Sequence, residues 1–157
     1  MPQEFLVDLD TIDLNDIKAD IEGIRALVPH RYEMGQLNGI IKYDPENKII
    51  IGYKDVKDDE FWVRGHIPDR PLFPGVLMVE AAAQLCTYYF KSSLQSDKFF
   101  GFGGIDKVKF RGQVLPGDKL IIIAKNKELR ARRAIFDTQG ITNGKLVFEG
   151  QIIGIAM

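Results

Sequence analysis

The stretch His66-Ile67-Pro68-Asp69-Arg70-Pro71-Leu72-Phe73-Pro74-Gly75-Val76-Leu77-Met78-Val79-Glu80-Ala81-Ala82-Ala83-Gln84 decides how this chain is read. Pro68, Pro71 and Pro74 fix φ and remove backbone donors, so the loop carrying His66 is stiff. Pro74 suits the first position of a helix, where a missing N–H costs nothing. From there to Phe90 the side chains are almost all apolar, and Glu80 is the only charge among them. The run predicts a helix of some 15 residues, roughly 22 Å long at 1.5 Å per residue. A helix apolar on every side has to be surrounded. A carboxylate inside it must be paired, neutralised or used, which points to an acid/base site formed by His66 and Glu80.

On the N-terminal side, Leu14, Ile17, Ile21, Ile24, Leu27 and Val28 recur near the helical period, predicting an amphipathic helix over about 14–28 that Pro29 stops. Residues 37–44 and 48–54 read as strands joined by the turn Asp44-Pro45-Glu46-Asn47. The second half is rich in strands, at 104–110, 118–125, 132–138 and 145–155, with Asn143-Gly144 as a hairpin turn before the last. Helix, two strands, long buried helix and about four strands describe an α+β fold in which one antiparallel sheet curls around a central helix. No linker or repeat interrupts residues 1–157, which read as a single domain.

Composition narrows the function. An apolar fraction of 45% and a charged fraction of 27% are ordinary for a globular chain. A net charge of −1 leaves no footprint for nucleic acid or an anionic membrane. The lone Cys86 excludes an internal disulfide and a cysteine-rich zinc site, and its apolar surroundings make it a small buried hydrophobe. Neither a signal peptide nor a run long enough to span a membrane is evident, so a cytoplasmic location without membrane insertion is expected.

The segment Arg64 to Gln84 resembles the signature of the 3-hydroxyacyl-acyl carrier protein dehydratases, hot-dog fold enzymes of fatty-acid synthesis. Leu27-Val28-Pro29-His30-Arg31-Tyr32 before it is similar to the family as well. So are Gly104-Ile105-Asp106-Lys107-Val108-Lys109-Phe110-Arg111 and Val114-Leu115-Pro116-Gly117-Asp118 after it. The resemblance implies dehydration of a 3-hydroxyacyl thioester to the trans-2-enoyl thioester, in fatty-acid or lipid A related synthesis, without metal or organic cofactor. It assigns His66 as the base that takes the C2 proton and Glu80 as the acid that protonates the leaving hydroxyl. The Gly75 amide would polarise the thioester carbonyl. It further implies acyl carrier protein as partner, a homodimer whose sites draw His66 from one subunit and Glu80 from the other, and assembly into a trimer of dimers.

General chemistry fits these roles. Histidine titrates near neutrality, and a carboxyl can act as an acid if burial raises its pKa. Desolvation is expected to dominate at Glu80. Gln84, one turn later, is placed to orient Glu80, and Pro74, Phe73 and Phe102 are expected at the substrate tunnel. His30 is expected to be structural, holding the turn before the first strand. Lys107, Lys109, Arg111 and Arg132 or Arg133 are candidates to receive the acidic carrier. A structural reading of Glu80 would pair it with Arg70 or Arg64.

The sequence departs from the family pattern at residues 33–39, which are more polar and glycine-rich, and at the glycine-rich 99–104 segment. Both bear on acyl-chain length. The competing functions are a hot-dog thioesterase, in which a carboxylate activates water, and a non-catalytic acyl-binding paralogue.

Overall fold

In the computed structural model, which describes residues 4–157, an unbroken antiparallel sheet wraps the helix α2, Gly75–Leu94. Met1 to Gln3, counted within the single domain expected from the sequence, lie outside the described residues. The strands are β1 Gly39–Asp44, β2 Ile49–Asp55, β3 Phe100–Phe110, β4 Lys119–Arg130, β5 Arg133–Thr142 and β6 Lys145–Ala156. Their order across the sheet is β1-β2-β4-β5-β6-β3, with every pairing antiparallel. The hot-dog architecture implied by the resemblance is therefore the one observed.

The helix packs against β2, β3, β4, β5 and β6, and Ala81, Ala82, Leu85, Cys86, Tyr89 and Phe90 are buried on it. Three alanines in its second and third turns let the sheet approach closely, while Tyr89 and Phe90 fill the wider end against Phe136 and Phe100. Cys86 is fully buried, as expected, and burial pushes its thiol well above the ordinary range. The helix runs one turn further than its apolar residues require. It ends at Gln95, whose left-handed backbone (φ 49°) stops propagation.

The N-terminal helix expected over 14–28 is shorter: only Ile21–Arg25 (α1) is helical. The backbone N–H groups of Lys18 and Ala19 donate to the Ile40 carbonyl, and the Ile40 N–H returns a bond to Ala19. This segment thus satisfies the outer edge of β1 as an extended strand would. Asp20 then caps the helix through the Gly23 N–H (2.9 Å). Leu14, Ile17 and Ile21 match a helical period but remain exposed, so tertiary pairing overrides the pattern.

The sheet buries its outer face as well. Ile41, Ile49, Ile51, Tyr53, Ile123, Ile141 and Leu146 form a second apolar cluster, covered by Phe5, Leu6, Val7, Leu9 and Ile12. This accounts for the uninterrupted isoleucines of β2, whose two faces are both covered. The Gln139 carboxamide holds the covering segment, accepting from the Leu6 N–H (2.8 Å) and donating to the Glu4 carbonyl (2.9 Å). Gln139→Ala should lower unfolding free energy by about 2 kcal/mol, two net hydrogen bonds at about 1 kcal/mol each. Urea denaturation measures it, and a loss below about 0.5 kcal/mol would mean that the apolar contacts alone hold the segment.

Candidate active site

The loop between β2 and α2 presents His66 through a chain of local bonds. Trp62 is buried edge-on against Phe73, at 5.3 Å between ring centroids, and its carbonyl accepts the His66 N–H (2.8 Å). The Phe73 N–H is anchored to the Val114 carbonyl (2.9 Å). Between these anchors the chain turns tightly at Asp69, whose φ of 64° lies in the left-handed region that aspartate tolerates. Below the loop Lys54, only 7% exposed, pairs with Glu60 at 2.7 Å, and Glu60 also accepts from the Trp62 indole and the Lys57 backbone.

The turn brings the Leu72 carbonyl within 2.6 Å of His66 Nδ1. A carbonyl can only accept, so Nδ1 carries a hydrogen, and in the neutral ring the lone pair is then on Nε2. His66 itself is exposed. A neutral histidine oriented through Nδ1 presents Nε2 as a proton acceptor.

Glu80 sits in the second turn of α2. Two donors converge on its Oε1: His30 Nε2 at 3.2 Å and Gln84 Nε2 at 2.9 Å. Gln84 is used almost completely. Its amide also donates to the Met34 carbonyl (2.7 Å), and its oxygen accepts the Gln36 N–H (2.9 Å). The divergent segment before β1 is thereby bolted to the helix beside Glu80. His30 is carried there by Arg31, whose guanidinium donates to the carbonyls of Val28, His30 and Arg25.

These donors reverse the electrostatics expected from the sequence. The hydrogen bond from His30 holds the Glu80 carboxyl below its ordinary value of 4.5; burial raises it, and the Gln84 bond lowers it again. Hydrogen bonds to an ionised group contribute about 2 kcal/mol each. Two of them outweigh the partial desolvation of a side chain that keeps 16% of its surface exposed. The expectation that desolvation would dominate is corrected: the isolated subunit favours the carboxylate. Pairing of Glu80 with Arg70 or Arg64 does not occur, and His30, expected only to hold a turn, is its ionisable partner.

Glu80 and His30 open onto a cavity of about 100 Å³, lined also by Thr87, Phe99, Phe102 and Gly154. Phe102 thus lines the same cavity as the carboxyl. Phe73 is not, because it belongs to the core against Trp62. Pro74 caps α2, its carbonyl accepting the N–H groups of Leu77 and Met78. Gly75 follows because the Phe110 ring lies over it; a Cβ there would come within 2.8 Å of that ring. His66 does not line the Glu80 cavity. Among the candidate carrier contacts, Arg111 pairs with Glu149 and Arg133 with Glu128.

The reading from sequence gave His30 only a turn-holding role and gave Phe99 none. The Pro29-His30-Arg31-Tyr32 segment was the available signal for the first, since an arginine beside a histidine can fix its loop. Phe99 gave none: its position over the cavity depends on Gly101, where a Cβ would meet the Phe99 ring at 2.7 Å.

A FabA-like domain family model matches residues 28–151. The chain is 35% identical over 141 residues to a protein named 3-hydroxyacyl-[acyl-carrier-protein] dehydratase FabZ from Xanthomonas oryzae pv. oryzae, covering 88% of this chain and 92% of that one. A protein of the same name from Clostridium beijerinckii is 36% identical over 139 residues, covering 85% and 96%. Among solved structures, the dehydratase heterocomplex ApeI:P of Xenorhabdus doucetiae superposes with a TM-score of 0.71 at 16% identity, over 85% of this chain and 90% of that one. Cj0977, a sigma28-regulated virulence protein of Campylobacter jejuni, gives 0.64 at 18% identity over 94% of each chain. At these identities the two structures speak to the fold alone.

The lowered carboxyl has a consequence for stability. A group whose folded pKa lies below its unfolded value stabilises the fold above the unfolded pKa, and loses that contribution as pH falls through the folded one. Unfolding free energy should therefore decline as pH drops below 4.5, and Glu80→Gln should flatten the decline. Denaturant titrations of both proteins between about pH 6 and pH 3 measure it, and parallel curves would show that Glu80 is not held ionised.

Proposed function

The chain belongs to the FabA-like family, and from that premise we propose that it removes water from 3-hydroxyacyl thioesters carried on acyl carrier protein, giving the trans-2-enoyl thioester in fatty-acid synthesis. The observation that carries this reading is a pair of complementary groups. One is a histidine whose Nδ1 is committed to a carbonyl; the other is a helix-borne carboxyl facing an aromatic-lined cavity.

His66 Nε2 takes the proton from C2, and negative charge grows on the thioester oxygen. The Gly75 N–H, at the positive end of α2, is placed to receive that charge; such a donor is worth about two orders of magnitude in rate or more. The C3–O bond then breaks, and Glu80 delivers a proton so that water leaves. His66 afterwards returns its proton to solvent, and Glu80 regains one. As an acid Glu80 must first be protonated. An acyl chain filling the cavity expels water from around it and raises its pKa, opposing the two donors on Oε1.

The reading includes a shared site. His66 is exposed and lies outside the Glu80 cavity of its own subunit, so a second subunit supplies the missing partner. β3 is the surface for this: it is an edge strand, and Phe102, Ile105 and Phe110 on it are exposed. Edge-to-edge pairing of two copies covers those side chains and removes the open edge. The trimer of dimers remains part of the proposal on resemblance alone. Lys107, Lys109 and Arg132, which make no ion pair among the described residues, are the cations left to meet an acidic carrier. No helix among the described residues is long and apolar enough to cross a membrane, and a cytoplasmic site of action goes with this reading.

A thioesterase is the second reading, and one observation favours it: Glu80 is held ionised, the state a base needs to activate water. Assays with 3-hydroxyacyl and with saturated acyl thioesters separate the two. Dehydration predicts an enoyl product from the first and no free thiol from the second; thiol release without enoyl would replace this reading by the other.

His66→Ala and Glu80→Gln should each lower turnover at least about a hundredfold, the lower range for acid–base groups. Near wild-type activity in either would remove that residue from the mechanism. Co-refolding the two inactive variants should restore roughly a quarter of wild-type activity, because half the dimers are mixed and each mixed dimer keeps one intact site. No recovery on mixing would place both groups in one subunit's site.

A further inference from the structure

We propose that His30 is a positioning residue for Glu80: as a neutral imidazole donating from Nε2, it commits Oε1 as an acceptor and leaves Oε2 as the oxygen that carries the proton to the departing hydroxyl. The inference rests on the dehydratase reading for its last step, but its geometry stands on this chain alone.

Oε1 is the meeting point of both donors, His30 Nε2 at 3.2 Å and Gln84 Nε2 at 2.9 Å. The Gln84 donor is unambiguous, because its oxygen is occupied by the Gln36 N–H and its second amide hydrogen by the Met34 carbonyl. An oxygen already accepting one N–H has room for another, whereas a proton placed on it would face the Gln84 hydrogen. His30 therefore meets an acceptor and must donate.

The other ring nitrogen decides the charge. His30 Nδ1 is buried and finds no hydrogen-bond partner among the described residues. An imidazolium would bury an N–H there without an acceptor, which costs more than leaving a bare lone pair on a neutral ring. The neutral Nε2–H tautomer satisfies Glu80 and keeps Nδ1 free of hydrogen. No donor among the described residues reaches Oε2, so a proton on this carboxyl resides there. Arg31 holds the His30 backbone in place with three bonds to main-chain carbonyls, so the donor direction is built into the loop.

The step balances simply. The proton on Oε2 leaves with the C3 hydroxyl as water, and the resulting carboxylate keeps both its donors on Oε1. His30 neither gains nor loses a proton during turnover. It acts through Glu80, aiming the acid and stabilising the carboxylate the reaction leaves behind.

The chain contains two histidines, which makes the test direct. Nitrogen-15 spectra of the labelled wild-type protein at the pH of the activity assay should show the two rings as opposite tautomers. His30 should carry its hydrogen on Nε2 and His66 on Nδ1, with His66→Ala assigning the signals. A His30 found as the Nδ1–H tautomer, or as an imidazolium, overturns the proposal whether or not the protein dehydrates anything. Kinetics supply the second arm. Glutamine places an amide donor where His30 Nε2 lies, so His30→Gln should keep kcat within about threefold, while His30→Ala lowers kcat at least about tenfold with KM little changed, as expected when only alignment is lost. A glutamine variant no better than the alanine one overturns the positioning role. Absence of dehydration by the wild type would instead defeat the functional reading and leave the tautomer result standing.

Discussion

Burial of α2 against the curled sheet is the constraint from which the rest of the structure follows. A helix carrying Ala81, Ala82, Leu85, Cys86, Tyr89 and Phe90 inside a closed layer gains about 2 kcal/mol for each large side chain removed from water. A single helix cannot achieve that alone, so the sheet curls around it. One charge is admitted to this environment, at Glu80, and only because two donors meet it, Gln84 one turn later on the same helix and His30 from the loop before β1. An uncompensated charge at such a place costs about 3–5 kcal/mol, enough to consume much of a small domain's stability. The site and the core thus share one solution: whatever holds Glu80 also holds the loop that covers it.

That coupling runs through Gln84 and His30. Gln84 binds the helix to Met34 and Gln36, and His30 arrives on a loop fixed by Arg31. The polar, glycine-containing segment before β1 is therefore tied to the helix beside Glu80 despite its unusual composition. On the other side, the rigid turn through Asp69 and the Leu72 carbonyl fixes the tautomer of His66. His66 is oriented by a main-chain carbonyl, and Glu80 by a side-chain amide and an imidazole rather than by an arginine or lysine. Such a site suits a reaction that moves protons between substrate and protein without a large change in net charge.

The aromatic residues Phe99, Phe100 and Phe102, just before and at the start of β3, divide between two duties. Phe100 stacks on Phe90 inside the subunit, at 4.2 Å between ring centroids, while Phe99 and Phe102 roof the cavity beside Glu80. Glycines let these rings approach; at Gly154 a Cβ would collide with the Phe100 ring. The glycine-rich stretch before Ile105 is accordingly a packing device that lets large rings close a small cavity. The space beside Gly101 and Gly103 is taken up by the Phe99 and Ile155 side chains.

How far the sequence reached is clearest at particular residues. The apolar run after Pro74 could only be a surrounded helix, and the turns at Asp44-Pro45 and Asn143-Gly144 could only join antiparallel neighbours, because local chemistry and periodicity act within a few residues. His66, Glu80 and Gly75 stand out as candidates for the same reason: their spacing within one segment carries the resemblance. The segment 14–20 was misread as helix because an apolar period does not reveal that the edge of β1, some twenty positions later, offers it hydrogen bonds. The direction of the Glu80 pKa was misread because burial is visible in a helix's own sequence, whereas the compensating donor, His30, comes from fifty positions away. What the sequence determined by itself was which groups are present and which element carries them. Tertiary structure alone decided which nitrogen faces which oxygen, since hydrogen-bond partners distant in the chain are chosen by packing and leave no periodic trace.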